Sequence, residues 1–177
     1  MRSIANLTIG ALFLTATVAA FGTGVGSAAP AFGSYDWPVE GPIIRFFEAP
    51  ATPYSAGHRG IDIAVPFGTA IHAPAAGTVT FAGWIAGSMF MTLDHGDGVK
   101  TSYSWVSGFA VAKGDAVNRG EVIAYSGHGH PDVPTPHLHF SARVNGVYID
   151  PLLLLRGLDL VSLIRLAPLT AFAPAAA

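Results

Sequence analysis

Cysteine is absent from all 177 residues. That excludes a disulfide framework and any thiolate metal site, so a metal in this chain must be held by histidine and carboxylate. Charge is scarce as well, at 11% of residues with a formal net charge of −2. There is no basic face for nucleic acid, and no run of like charge for an acidic tail or a polybasic membrane patch. No apolar stretch reaches the roughly 20 residues that a membrane-spanning helix needs. The length gives room for one ordinary domain.

What is present begins with a leader. Arg2 is the only charged residue before Asp36, and Ile9 to Phe21 is apolar apart from Gly10, Thr15 and Thr17. Small residues follow from Gly22 to Ala31. A positive start, a short apolar centre and a small-residue cleavage zone predict a signal peptide over residues 1–31. The mature protein is therefore expected outside the cytoplasm, in the cell envelope or secreted, with no stable membrane span after cleavage.

Pro38, Pro42, Pro50 and Pro53 follow. Proline at that density cannot sustain a helix, so residues 32–57 read as an extended Pro-rich arm laid on the domain. From His58 to residue 156 glycine punctuates short runs rich in β-branched and aromatic residues. These runs are Thr78 to Phe81, Phe90 to Leu93, Val99 to Tyr103, Val122 to Tyr125 and His137 to Val144, and they predict strands. Asp94-His95-Gly96-Asp97-Gly98 reads as a hairpin loop, and Asn145-Gly146 as a two-residue hairpin turn. Leu152 to Leu166 carries apolar residues at near-helical spacing and predicts a short amphipathic helix, followed by a loose tail to residue 177. The fold class expected is all-β: a small antiparallel, sandwich-like domain with a short C-terminal helix.

Two elements carry chemistry. In His137-Leu138-His139 the histidines lie two apart, which on a strand places them on one face roughly 6.6 Å apart. Both can converge on one metal, or one can ligate while the other contacts the water beside it. In His58-Arg59-Gly60-Ile61-Asp62 a regular strand would separate His58 from Asp62 by about 13 Å. A bend at Gly57 and Gly60 brings them together. Catalytic zinc uses three protein ligands and an open position, and His58, Asp62 and one of the two later histidines make such a set. Zinc held in this way can activate water toward a peptide carbonyl.

These residues, with Ala73-Pro74-Ala75-Ala76-Gly77-Thr78-Val79, Asp94-His95-Gly96, Tyr103, Lys113-Gly114-Asp115-Ala116-Val117 and Asp150-Pro151, resemble the lysostaphin-type (LytM-like) zinc peptidoglycan endopeptidases. The resemblance runs from about Trp37 to Leu155. It implies Zn²⁺ bound by His58, Asp62 and His139, with His137 as a catalytic residue beside the metal. It also implies a groove above the metal for peptidoglycan stem or cross-bridge peptide. The family usually carries a second catalytic histidine two residues after the tyrosine, whereas here the run is Tyr103-Ser104-Trp105. An indole N–H can donate to an oxyanion but cannot accept a proton or bind zinc.

The function expected is therefore an exported zinc metalloendopeptidase, a monomer, cutting peptide bonds in bacterial peptidoglycan. The alternative is a weakened or inactive zinc-containing envelope module that binds wall peptide or regulates another hydrolase through a protein partner. Other residues read more plainly. His72 reads as a strand end, His95 as part of a turn, and His128 and His130 as a solvated Gly/Pro loop. One of those last two is a minor candidate to replace the missing histidine. Arg45, Arg59 and Arg119 read as solvated surface.

Overall fold

The computed structural model describes residue 30, residues 32–52 and residues 54–157. The expected signal peptide lies outside these residues except for Pro30. Ten strands are present: β1 (Ile43–Arg45), β2 (Ile61–Ala64), β3 (Ala70–His72), β4 (Gly77–Ile85), β5 (Ser88–Asp94), β6 (Val99–Phe109), β7 (Ala116–Val117), β8 (Val122–Ser126), β9 (His137–Val144) and β10 (Val147–Ile149). They form one connected antiparallel arrangement in the order β1-β2-β9-β6-β5-β4-β7, with β10 added to β9 and the β3–β8 pair joined through β6. The β9–β10 turn is made by Asn145 and Gly146, both at positive φ (50° and 86°), as the two-residue hairpin requires.

Alternation along the central strands separates a core face from a polar face. Ile61 and Ile63 of β2, Leu138 and Phe140 of β9, and Tyr103 of β6 are all at most 1% exposed. Phe140 pairs with Tyr103 across the ladder, with ring centroids 5.5 Å apart. Each such side chain contributes about 1.5–3 kcal/mol through burial. Period two then sends the intervening residues, Asp62 of β2 and His137 and His139 of β9, to the opposite face. β2 is flanked by β1 and β9, so its backbone is paired on both sides around Asp62.

β6 serves two neighbours along one edge. Val99–Ser104 pair with β9, and Val106, Gly108 and Phe109 pair with β8. On the other edge, Phe90 of β5 faces Ser104 and Met89 faces Val106, so Trp105 is left over between them. Trp105 is thus the extra residue of a β-bulge, at φ 55°, a region that bulky side chains rarely adopt. β8 and β9 separate at this fork, and residues 127–136 link them across it.

The expected helix starting at Leu152 is, within the described residues, a single 3₁₀ turn over Pro151–Leu153. The N-terminal arm explains why residues 152–157 form no α-helical turn. The carbonyl oxygens of Leu153 and Leu154, which a helix would need, accept instead from the backbone N–H groups of Gly33 and Tyr35. Leu155 forms a parallel bridge with Tyr35, and both side chains are buried. The remainder of the expected helix, beyond Gly157, lies outside the described residues. Among the described residues no helix is long and apolar enough to cross a membrane.

Candidate metal centre

The antiparallel register of β2 and β9 places Asp62 directly opposite His139, and Ala64 opposite His137. Asp62 is fully buried, and its Oδ1 lies 2.8 Å from His139 Nδ1. The chain bends before β2 as its glycines predict, and His58 Nε2 lies 3.1 Å from both Asp62 Oδ1 and His139 Nδ1. Gly60 permits this approach, because a Cβ there would strike the His139 ring and the Phe140 carbonyl oxygen. A second hydrogen bond orients His58: its Nδ1 donates to the Phe46 carbonyl oxygen at 2.8 Å.

His137 is completely buried, with Nε2 4.0 Å from Asp62 Oδ1. Its Nδ1 donates to the Thr135 carbonyl oxygen at 2.7 Å, which fixes the tautomer. Its Nε2 accepts from the backbone N–H of His130 at 3.3 Å.

The residue that sequence reasoning placed wrongly is His130. It is only 7% exposed, not solvated. Its Nε2 lies 2.9 Å from Asp62 Oδ2, and its Nδ1 donates to Asp132. His58, Asp62, His130 and His139 each present a ligand atom within 4.8 Å of the others. Trp105 closes one side, with its ring edge-on to His130 and His139 at centroid distances of 5.2 and 5.6 Å. Its aim follows from the bulge that lifts it out of the ladder. His128 instead packs on Phe67, and His72 bonds the Gly120 carbonyl oxygen at a strand end.

Burial opposes ionisation of Asp62, but hydrogen bonds from His139 and His58 outweigh it and hold the carboxyl far below the usual carboxylate range. Burial lowers the His139 pKa, against the pull of Asp62, and so favours the neutral, ligating form of the ring.

The donor set fits a divalent cation of zinc type. The outer nitrogen of His58 is engaged by the Phe46 carbonyl oxygen and that of His130 by Asp132, so in both rings Nε2 is the nitrogen turned toward the Asp62 carboxylate. Imidazole nitrogens gathered around one buried carboxylate at 2.8–3.1 Å can share a metal cation in place of the protons that otherwise join them. A tetrahedral ion with ligands at 2.0–2.2 Å sets its donors about 3.3–3.6 Å apart, so a small outward movement of these side chains would admit it.

A groove of about 660 Å³ runs over these residues. Arg45, Arg59 and Arg143 line it together with Phe90 and Trp105. Arg45 and Arg59 were expected on open surface, and Arg143 was not singled out at all. A period-two count from His139 through Ser141 reaches Arg143, and that was the available signal.

Residues 56–151 match the model of peptidase family M23. An uncharacterized protein of Mycobacterium tuberculosis is 36% identical over 141 residues, covering 76% of this chain and 55% of that protein. The DD-carboxypeptidase/endopeptidase Mpg of Neisseria meningitidis is 41% identical over 95 residues, covering 53% of this chain and 22% of Mpg. The chain thus spans about half, or less, of the length of these curated relatives. Among solved structures, a zinc-containing peptidase from Vibrio cholerae matches with a TM-score of 0.58 at 28% identity, over 67% of this chain and 39% of that one. The catalytic domain of lysostaphin from Staphylococcus simulans matches with a TM-score of 0.54 at 25% identity, over 62% and 88%. The cofactor that the histidine–aspartate cluster and these zinc peptidases indicate is Zn²⁺. By the match across more than half its length, the chain belongs to peptidase family M23, the family of lysostaphin-type enzymes.

Proposed function

We propose that this protein is an exported zinc metalloendopeptidase that hydrolyses peptide bonds of bacterial peptidoglycan, with His58, Asp62 and His139 holding the zinc and His137 assisting. The observation that carries this reading is the convergence of His58, Asp62 and His139 within 3.1 Å of one another beneath a groove that His58 and His139 line. The named relatives add support, since Mpg is a DD-carboxypeptidase/endopeptidase and lysostaphin an antimicrobial peptidase.

Zinc in such a site polarises a carbonyl and brings the pKa of water toward neutrality. The chain's own residues do the rest. Asp62 stays ionised and supplies the balancing negative charge, and the Phe46 carbonyl oxygen keeps His58 aimed inward. His137, with its proton fixed on Nδ1, presents Nε2 as the base that takes a proton beside the metal. The Trp105 indole N–H would donate to an oxyanion formed in the groove that its ring lines. Arg45, Arg59 and Arg143 favour an acidic peptide along the groove, as a stem peptide is.

Purified cell walls provide the test. The mature protein should clear their turbidity, and chelator or His137→Ala should each abolish clearing. A protein that keeps its zinc yet cleaves no wall at any pH is the non-catalytic envelope module instead.

A further inference from the structure

We propose that His130 is a fourth protein ligand of the zinc, so that residues 127–136 form a cap that closes the site and must withdraw before water or peptide can take that position. The inference rests on the zinc-peptidase reading above and adds a ligand and a closed state to it.

Three observations converge on His130. The first is donor geometry: its Nε2 is 2.9 Å from Asp62 Oδ2 and within 4.8 Å of the ligand atoms of His58 and His139. The second is its support. The other ring nitrogen donates to Asp132, which is paired in turn with Arg45 at 3.6 Å. A carboxylate behind a histidine is the usual arrangement for a metal ligand, because it fixes the tautomer and makes the free nitrogen more basic. The third is that the same segment also covers His137. The His130 backbone N–H occupies His137 Nε2. Gly129, at φ 81°, lies so close to the His137 ring that an added Cβ would overlap it.

One short segment therefore engages both the metal position and the general base. Three donors come from β2, β9 and the bend before β2, whereas His130 alone comes from a connection containing Gly127, Gly129, Pro131, Pro134 and Pro136. Zinc with four protein ligands is closed, and catalytic zinc keeps one position open. A fourth ligand on a loop, unlike one on a strand, can leave without disturbing the sheet. Trp105 sits at the fork that the loop crosses, edge-on to His130, and backs the ring in this position.

The test uses the purified protein loaded with zinc or with Co²⁺, whose visible absorption reports coordination. In wild type the cobalt spectrum should be unaltered by added azide, because no position is open. His130→Ala should become azide-sensitive and hold zinc at least about 10-fold more weakly, since even a second-layer partner is worth 10–100-fold. Asp132→Asn guards against misfolding, because that side chain is 70% exposed. It should weaken zinc by about 10-fold with the fold intact. Equal zinc affinity and equal azide response in wild type and both variants overturn the proposal and leave His130 beside the metal rather than on it. Wild type that takes up neither metal overturns the zinc-peptidase reading itself.

Discussion

Asp62 and His139 face each other across the β2–β9 ladder, with carboxylate oxygen and imidazole nitrogen 2.8 Å apart. That pairing is fixed by sheet register, and a slip of one residue would turn both side chains into the core. The site is therefore as rigid as the sheet that carries it. Asp62→Asn keeps size and shape but removes the charge. It should lower zinc affinity by well over 10-fold while leaving the far-ultraviolet circular dichroism unchanged, which equilibrium dialysis and spectroscopy check together.

Trp105 occupies a left-handed bulge position facing His130 and His139. Imidazole there can both donate and accept a proton, whereas indole can only donate. Trp105→His should raise the rate of wall clearing, by about 10-fold or more given the usual worth of general acid–base groups. Trp105→Phe, which removes the N–H, should lower it. A rate indifferent to both changes would take Trp105 out of the chemistry.

Gly129→Ala probes the cap through the backbone. It places a Cβ against the His137 ring at a positive φ, so something must shift. Urea denaturation should register a loss of about 1–3 kcal/mol. Limited proteolysis should also cut residues 127–136 faster than in wild type. Unchanged stability and unchanged cleavage would mean that the loop does not rest on His137.

A pH effect is expected away from the metal. His95 donates from Nδ1 to the Ala76 carbonyl oxygen, and its Nε2 meets Thr101 Oγ1, which in turn bonds the buried Tyr103 hydroxyl. Burial lowers the His95 pKa, outweighing the backbone bond to Ala76 and the nearby Asp97 and Asp94, which raise it. With the folded pKa below the unfolded value, the unfolded chain binds the extra proton first. This contribution is thus full above the unfolded pKa, near 6.5, and is lost as pH falls through the folded value. Denaturation between pH 7 and pH 5 should show stability falling toward acid by at most about 1.4 kcal/mol per unit from this group. His95→Gln should flatten the slope measured on metal-free protein.

The parts legible in the sequence are those set by local rules. Period two put His137 and His139 on one face, the glycines around His58 announced the bend, and Asn145-Gly146 announced its hairpin. His130 was not legible, because its loop approaches the site only after β6 forks at Trp105, and no spacing encodes that fork. His95 looked like an ordinary turn residue because its partners, Ala76 and Thr101, belong to other elements. Over residues 152–157, the described part of the expected helix, hydrogen bonds from the N-terminal arm take the carbonyl oxygens of Leu153 and Leu154, a competition between distant segments that apolar periodicity does not register.

The most direct test of the whole account is the metal content of the purified protein. One zinc per chain in wild type, lost in both His58→Ala and His139→Ala while the sheet remains folded, is the result expected. A folded wild-type protein that binds no zinc, or variants that retain it in full, would contradict the account at its base.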